Sequence, residues 1–248
     1  MPMPGISPHA PPMASGVGPV DLPPDYDAAF LPVFDVAREA TMSSSSRMYA
    51  LYKAVHHVVD AGIPGDFVEC GVWRGGSVMV MALALLQRGI TDRTIHLFDT
   101  FQGMPPPSDR DVSLLNESAA HLLETQDPQD PKSVWCLASL DEVRHNVLST
   151  GYPEDRFHFV PGRVEDTIPA AAPAGISLLR LDTDWYASTR HELEQLYPLL
   201  ALGGVLIVDD YGHWRGTRQA VDEYFSTHPP ILLNRIDYTG RIGVKTVP

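Results

Sequence analysis

At 248 residues the chain has the length of one ordinary α/β domain, and with 44% hydrophobic residues it can fill a sizeable core. Its formal net charge of -13 argues against nucleic acid or an anionic membrane as a partner, because both attract clustered Lys and Arg. A cationic ligand or a metal suits this charge better. Cys70 and Cys136 are too few for a disulfide framework and lack the spacing of a zinc site, so a cytoplasmic location is predicted.

The N-terminus is rich in Pro, Gly, Met and Ser, and the composition changes near Asp21. This segment lacks the basic and apolar regions of a signal peptide. No stretch of the sequence reaches the roughly 18–20 apolar residues that a membrane span needs. We therefore predict a disordered Pro-rich tail over residues 1–25, followed by one domain over residues 26–248.

Strand and helix patterns alternate along the domain. A helix that leads into the domain is predicted over residues 46–61. Further helices are predicted over residues 77–87, 139–149 and 217–226, with one more between the fourth and fifth strands. Strands are predicted over residues 66–70, 94–98, 157–160, 176–181 and 205–208, and the ranges 231–236 and 241–245 predict a C-terminal hairpin.

Three of these helices have a predicted N-cap. Ser77 is an N-cap candidate by itself, and the pairs Ser139–Glu142 and Thr189–Glu192 have the spacing of capping boxes. The long polar segment over residues 102–132 has no strong helix or strand pattern. Loops of that length are usually lids or binding loops, so we expect this one to cover a site.

The order of the elements predicts the fold class. Residues 176–181 and 205–208 are almost continuously apolar, as is typical of parallel strands buried on both faces. Together with the C-terminal hairpin they predict an α/β fold, a doubly wound and mostly parallel sheet with an antiparallel strand at or near its edge. In such sheets ligands bind at the carboxyl ends of the strands, near the point where the strand order reverses.

The first strand ends in a glycine turn, residues 69–77, with the sequence ECGVWRGGS. Glycines allow the backbone to approach a ligand closely. The spacing from Gly71 to Gly75 does not satisfy the dinucleotide fingerprint G-x-G-x-x-G. Glu69, before the first glycine, favours a cation over a pyrophosphate. A packed strand-helix turn without a ligand is the alternative interpretation.

Asp99 ends the second strand. An acidic residue at this position can accept hydrogen bonds from both ribose hydroxyls of a nucleoside, in NAD-binding and in S-adenosylmethionine (SAM)-binding folds alike. An N-cap or a solvated aspartate is the alternative.

Two pairs of carboxylates directly follow the two most apolar strands: Asp182 with Asp184, and Asp209 with Asp210. Four carboxylates at one sheet edge repel one another unless a cation compensates them. Oxygen ligands suit a hard cation such as magnesium. We predict Asp182, Asp209 and Asp210 as metal ligands, with Asp184 as a general base and His213 as the alternative base. Capping of the following helices is the alternative role for any one aspartate.

The motifs taken together resemble the macrocin O-methyltransferase (TylF-like) family. The resemblance extends from about Thr41 to Tyr224. It does not cover the Pro-rich tail or much of the segment 102–132. Its most specific parts are VECGVWRGGS, FDTFQGMP, PGRVEDTIP, LRLDTDWYAST and GGVLIVDDY.

The resemblance implies a class I SAM-dependent methyltransferase fold, which is Rossmann-like, with a seven-stranded sheet whose last strand is antiparallel, an N-terminal helical segment and a lid. Met42 and Arg47 match a loose motif on the cofactor side of the family's site. The predicted SAM-binding residues are Glu69, Gly71, Trp73, Ser77, Asp99, Thr100, Gly162, Arg163, Asp166 and Asp182.

We therefore predict a SAM- and magnesium-dependent O-methyltransferase that acts on a hydroxyl of a small molecule, such as a deoxysugar of a natural product or a related secondary metabolite. Metal coordination would acidify the hydroxyl, and Asp184 or His213 would remove its proton. A catechol-like phenol is an alternative acceptor. An NAD-type oxidoreductase and a non-catalytic ligand-binding domain are the rival functions. Whether the chain forms a homo-oligomer is left open.

Overall fold

Seven strands within residues 22–248, the part of the chain that the computed structural model describes, form one mixed sheet. The strands are β1 (Asp66–Cys70), β2 (Ile95–Asp99), β3 (Phe157–Pro161), β4 (Ile176–Leu181), β5 (Leu200–Val208), β6 (Asn234–Arg235) and β7 (Arg241–Val244). Their order across the sheet is β3-β2-β1-β4-β5-β7-β6. The first five strands run parallel, whereas β7 runs antiparallel to both β5 and β6. The predicted doubly wound sheet with an antiparallel last strand is confirmed.

Helices flank this sheet, and most of them connect one strand to the next. The α-helices of the described residues are α1 (Phe30–Ala37), α2 (Ser45–Asp60), α3 (Gly76–Gln87), α4 (Ala119–Thr125), α5 (Leu140–Leu148), α6 (Val164–Thr167), α7 (Tyr186–Leu196) and α8 (Arg215–Thr227). The helix that leads into the domain and the helix after β5 lie within two residues of their predicted bounds.

Two hydrophobic cores lie on opposite faces of the sheet. Successive residues of a strand point to opposite faces. Phe67 of β1 therefore enters one core, with residues of α2 and α3, while Val68 enters the other, with residues of α7 and α8. Leu178 and Leu179 of β4 divide in the same way. Because helices cover both faces of the sheet, the central strands are apolar at nearly every position.

One predicted N-cap is confirmed and one is wrong. The Ser139 side chain accepts a hydrogen bond from the Glu142 backbone N at 3.2 Å and begins α5. Ser77, in contrast, lies buried inside the first turn of α3. The N-cap of α3 is Gly75, in the left-handed conformation with φ 91°. The glycine turn itself leads the chain into the helix, so no side-chain cap begins it.

The predicted capping box at Thr189 and Glu192 is also wrong. Helix α7 begins three residues earlier, at Tyr186, so both residues are buried inside it. The Glu192 carboxylate accepts a hydrogen bond from Thr183 Oγ1 at 2.8 Å instead of bonding to the backbone of Thr189. The capping box was predicted from the spacing of these two residues alone, but in the structure the glutamate side chain makes a tertiary hydrogen bond instead.

The polar segment over residues 102–132 folds into a lid, which we define as residues 102–136. Its two ends meet where Met104 N donates to Trp135 O at 3.0 Å. Between them, α4 follows a short turn that is closed by a bridge between Val112 and Ser118. A second bridge joins Ser113 to Trp214 at the start of α8. The lid is thus tied to the same end of the sheet as the loops after β4 and β5.

The predicted tail falls mostly on residues 1–21, which lie outside the described residues. Leu22, the first described residue, is half-buried against the core. Among residues 22–248, no helix combines the length and the apolar character that crossing a membrane requires.

Candidate active site

A cavity of about 360 Å³ lies at the carboxyl ends of the parallel strands, beneath the lid. β1 and β4 are neighbours at the centre of the sheet, and the chain crosses from β1 to β2 on one side and from β4 to β5 on the other. The cavity therefore lies at the switch point where ligands of such sheets bind. Its walls combine the ends of the five parallel strands with the segment before α2 and with the lid.

The glycine turn after β1 forms one wall. Gly71 has φ 80°, and a Cβ at this position would overlap the Asp182 carbonyl oxygen. Glycine therefore lets the ends of β1 and β4 approach each other closely. The Asp99 carboxylate ties this turn to the end of β2, since it accepts hydrogen bonds from the backbone N of Val72 at 2.6 Å and of Trp73 at 3.1 Å.

Asp99 uses its other oxygen to accept a hydrogen bond from Phe101 N at 2.7 Å. Burial raises the pKa of Asp99, and the three backbone hydrogen bonds oppose that rise. Oδ2 already accepts two of these bonds, whereas Oδ1 accepts only one and keeps a second lone pair, so Asp99 can bind a ribose hydroxyl through Oδ1 in addition to these amides.

Glu69 and Arg180 form a buried ion pair at the floor of the cavity. Their side chains are 1% and 3% exposed. Burial raises the pKa of Glu69 to about 7, although the Arg180 charge acts in the opposite direction. Glu69 Oε2 has no hydrogen-bond partner among residues 22–248. A buried carboxylate oxygen without a partner is costly, and a cationic ligand in the cavity would supply the missing donor.

Arg180 is the functional residue that reasoning from the sequence missed. It contacts the Asp182 carboxylate at 2.7 Å and the Asp209 carboxylate at 2.9 Å, in addition to Glu69. Its other partner is Ser43 Oγ, at 3.1 Å. A signal was present, because Arg180 is the only charged residue in the apolar run of β4, and a charge in a strand buried on both faces requires a partner.

Asp182, Asp184 and Asp210 each place a carboxylate oxygen within 4.8 Å of the others. Asp209 does not belong to this group, because its side chain is 3% exposed and pairs with both Arg47 and Arg180. The predicted metal ligands Asp182 and Asp210 are therefore brought together, with the predicted base Asp184 beside them.

The same three carboxyls hold their protons unequally. Burial, followed by repulsion from Asp210, raises the pKa of Asp184 well above its usual range. Burial also raises the pKa of Asp182 well above that range, while Arg180 acts against it. For Asp210 burial acts in the same direction, but a hydrogen bond from Asp184 and the charges of Arg47 and His213 lower its pKa. Without a bound cation, Asp182 and Asp184 are therefore the two carboxyls of the cluster whose pKa is raised, and Asp210 is the one whose pKa is lowered.

The alternative base, His213, also lines the cavity. Its ring meets the Trp214 ring edge-on at 4.9 Å and the Tyr238 ring at 6.1 Å. Its backbone N donates to the backbone carbonyl of Asp210 at 3.0 Å.

Nearly all of the predicted site residues line this one cavity. The exception is Asp166, which is exposed on α6 and is not a lining residue. Asp166 faces outward from this four-residue helix, whereas Glu165 of the same helix lines the cavity and pairs with Arg163, just before the helix, at 3.3 Å. The lining residues that were predicted for cofactor binding are Glu69, Gly71, Trp73, Ser77, Asp99, Thr100, Gly162, Arg163 and Asp182.

Comparison with known proteins identifies relatives along most of the chain. The family model of macrocin O-methyltransferase (TylF) matches residues 34–242. A demethyldecarbamoylnovobiocin O-methyltransferase from Streptomyces niveus is 34% identical over 188 residues, which are 76% of this chain and 68% of that enzyme. The 8-demethyl-8-(2,3-dimethoxy-alpha-L-rhamnosyl)-tetracenomycin-C 4'-O-methyltransferase from Streptomyces olivaceus is 35% identical over 203 residues, 81% of this chain and 73% of that enzyme.

Among solved structures, the O-methyltransferase NovP is 32% identical with a TM-score of 0.72, and the match covers 84% of this chain and 83% of NovP. The shared fold is that of class I SAM-dependent methyltransferases. The chain belongs to the macrocin O-methyltransferase (TylF) family, and it is therefore an enzyme that transfers a methyl group from SAM to a hydroxyl. This membership decides against the oxidoreductase and the non-catalytic domain that the sequence left open.

Proposed function

We propose that this enzyme methylates a sugar hydroxyl of a natural-product glycoside, with the help of a divalent cation, in the cavity beneath the lid. The observation that carries the proposal is the cluster of Asp182, Asp184 and Asp210 within 4.8 Å, in the same cavity as the glycine turn. The name of the Streptomyces olivaceus relative includes a rhamnosyl group in its substrate, which supports a deoxysugar as the acceptor.

SAM fits the part of the cavity that lies between the glycine turn and Asp99. Its ammonium group would supply the donor that Glu69 Oε2 lacks, and a ribose hydroxyl would donate to Asp99 Oδ1. Gly162 and Arg163, at the end of β3, would line the adenine. The sulfonium is a cation, which the surrounding carboxylates favour.

A hard divalent cation, magnesium first of all, fits the carboxylate cluster. The donors are oxygens, and neither cysteine belongs to the cluster. The cavity holds two arginines as counter-charges, Arg47 and Arg180, against five carboxyl groups: Glu69, Asp182, Asp184, Asp209 and Asp210. The arginines therefore compensate only part of the negative charge. When bound, the cation would lower the pKa of the acceptor hydroxyl.

The residues of the chain would orient and deprotonate the acceptor. Asp184, once ionised, accepts the hydroxyl proton, and His213 is the second candidate for this step. Bound SAM would supply the methyl group, with S-adenosylhomocysteine as the leaving group, and the deprotonated acceptor oxygen held by these residues would be the nucleophile. The lid excludes water and holds the two reactants in line.

Asp209 keeps its predicted role as a third metal ligand, even though two guanidiniums already bind it, because a carboxylate has about four lone-pair sites. Asp184 is the competing ligand, since it lies nearer to Asp182 and Asp210. The variants Asp209→Asn and Asp184→Asn separate these roles. Loss of a ligand weakens magnesium binding, whereas loss of the base lowers kcat and leaves magnesium binding intact.

Isothermal titration with SAM and with NAD, each with and without magnesium, tests the cofactors. We expect heat from SAM, none from NAD, and a magnesium signal that Asp210→Asn abolishes. Labelled SAM is then incubated with a panel of alkyl and aryl α-L-rhamnosides and catechols. Transfer to the rhamnosides supports the proposed acceptor. Transfer only to catechols refutes it and favours the phenol alternative.

We further expect the enzyme in the cytoplasm, because its two cysteines remain unpaired.

A further inference from the structure

Asp111 is a lid carboxylate that is buried outside the cavity. It is 1% exposed. Its Oδ2 accepts hydrogen bonds from the N and the Oγ of Ser108, both at 2.7 Å. Its Oδ1 accepts a hydrogen bond from the backbone N of Tyr186, also at 2.7 Å. Asp111 is not a cavity-lining residue of the described chain, so its contacts are with protein and not with a ligand.

The Tyr186 contact makes Asp111 the N-terminal cap of α7. The first backbone N–H groups of a helix lack partners within the helix. Trp185, the residue at the N-cap position, provides no side-chain hydrogen bond to the backbone of α7. A carboxylate at this end is also favoured by the helix dipole. The lid thus supplies the cap that the local sequence of α7 does not.

Helix α7 begins two residues after Asp184, whose backbone is in the left-handed region with φ 67°. A residue other than glycine keeps this conformation only where its surroundings determine it. Thr217 Oγ1 donates to the Asp184 carbonyl. Trp185 Nε1 donates to the lid carbonyl of Pro105 at 2.9 Å. With the Asp111 contact included, two of these three hydrogen bonds, those to Pro105 and to Asp111, therefore tie the segment around Asp184 to the lid.

The start of α8 packs against the place where Asp111 meets the first turn of α7. A Cβ at Gly216 would overlap Asp111 Oδ1 and would lie 3.0 Å from Tyr186 N. Glycine therefore allows α8, α7 and the lid to meet at one point. The junction has no space for a water molecule between Asp111 and the α7 backbone at their distance of 2.7 Å.

We propose that Asp111 is a positioning residue for Asp184, so that docking of the lid sets the backbone of the residue that we assign as the general base. The inference rests on the proposed function of Asp184. The lid then does more than exclude water, because its carboxylate holds the first turn of α7 and with it the loop that carries Asp184. Misplacing a reacting group by about 1 Å is enough to cost on the order of 100-fold in rate.

The test compares Asp111→Ala and Asp111→Asn with Asp109→Ala, a matched control that removes an exposed lid carboxylate two residues away. Hydrogen exchange of the full-length protein, with SAM and magnesium present, is the first measurement. Asp111→Ala should speed exchange at the Tyr186 amide and leave the β4 amides unchanged. Asp111→Asn, which keeps an oxygen acceptor, should restore protection, and Asp109→Ala should have no effect.

Kinetics with the rhamnoside that the wild type methylates fastest are the second measurement. We expect Asp111→Ala to lower kcat by about 100-fold with the KM of the rhamnoside and the SAM affinity unchanged, and Asp111→Asn to recover most of the rate. If KM rises while kcat is unchanged, the lid only retains the acceptor and the proposal is wrong. An unchanged Tyr186 amide also overturns it.

A second variant covers the case in which Asp111→Ala does not fold. Gly216→Ala keeps Asp111 but pushes a methyl group against its carboxylate, and it should lower kcat in the same way; an unchanged kcat contradicts the proposal. Failure of the proposed function has a different signature. In that case the wild type methylates no member of the panel, or Asp184→Asn keeps full activity, while the exchange experiment still decides whether Asp111 holds α7.

Discussion

The Arg180 guanidinium lies 2.7 Å from the carboxylate of Asp182, two residues further along the chain. Arg180 is thus a residue of β4 that serves as a counter-ion in the site. The same guanidinium contacts Glu69, which lies in β1, and Asp209, which follows β5. Three carboxylates at the ends of β1, β4 and β5 therefore share one buried cation, and Asp209 also pairs with Arg47.

Replacing Arg180 with Met should destabilise the protein by about 3 kcal/mol, because removing one partner of a buried ion pair leaves the other charges uncompensated. Arg180→Lys is the control, since it keeps the charge and loses only the planar donor geometry, so its loss should be smaller. Urea unfolding at pH 7 measures both. A Met variant as stable as the Lys variant would show that the carboxylates do not need the charge.

Glu69→Gln should weaken SAM binding by roughly 10- to 100-fold, because a hydrogen bond to a charged group contributes about 1.5–3 kcal/mol. Glu117→Gln provides the comparison, since Glu117 lines the lid side of the same cavity and carries the same charge. Titration calorimetry gives both affinities. Equal losses in the two variants would mean that SAM responds to the overall charge and not to Glu69 itself.

Gly71→Ala should be much more destabilising than Gly62→Ala. Both glycines have a left-handed backbone, with φ 80° and 64°, so both variants bear a conformational cost of about 1–2 kcal/mol. Only at Gly71 would the new Cβ overlap another backbone, that of Asp182, whereas nothing lies within 4 Å of Gly62. Thermal unfolding compares the two. Similar melting temperatures would disprove the close approach of β1 and β4.

Glu192→Gln should change how stability depends on pH. Burial raises the pKa of Glu192 from 4.5 to about 8, while the hydrogen bond from Thr183 opposes the rise. The native protein therefore keeps this proton where the unfolded chain has lost it. The resulting stabilisation is complete below pH 4.5 and is lost as the pH rises through about 8.

The expected slope from Glu192 is up to about 1.4 kcal/mol per pH unit between those two values. The Gln variant has no ionisable group there, so its advantage over the wild type should grow as the pH rises. Urea unfolding at several pH values between 5 and 8 measures the difference. Parallel pH curves for the two proteins would place the Glu192 pKa near its ordinary value.

The local hydrophobic pattern of the sequence was sufficient to predict the central strands but not the short helices. The runs of β4 and β5 are apolar at nearly every position, so their burial could be predicted. α4 and α6, with 7 and 4 residues, are too short to show a helical period. α1 has the period, since Phe30, Val33, Phe34 and Ala37 are its buried residues, but it lies in a stretch with prolines that obscured it.

The sequence by itself determined the order of the elements and the presence of carboxylates at the ends of the strands, because both features depend on residues that are neighbours along the chain. Only the tertiary structure decided which carboxylates remain available. Arg47 and Asp209 are separated by 162 positions, and Arg180 and Glu69 by 111. Ion pairing depends on distances in space, which local spacing does not specify. For this reason the sheet could be predicted from the sequence, whereas the pairing of Asp209, the buried charge of Arg180 and the lid's hold on α7 could not.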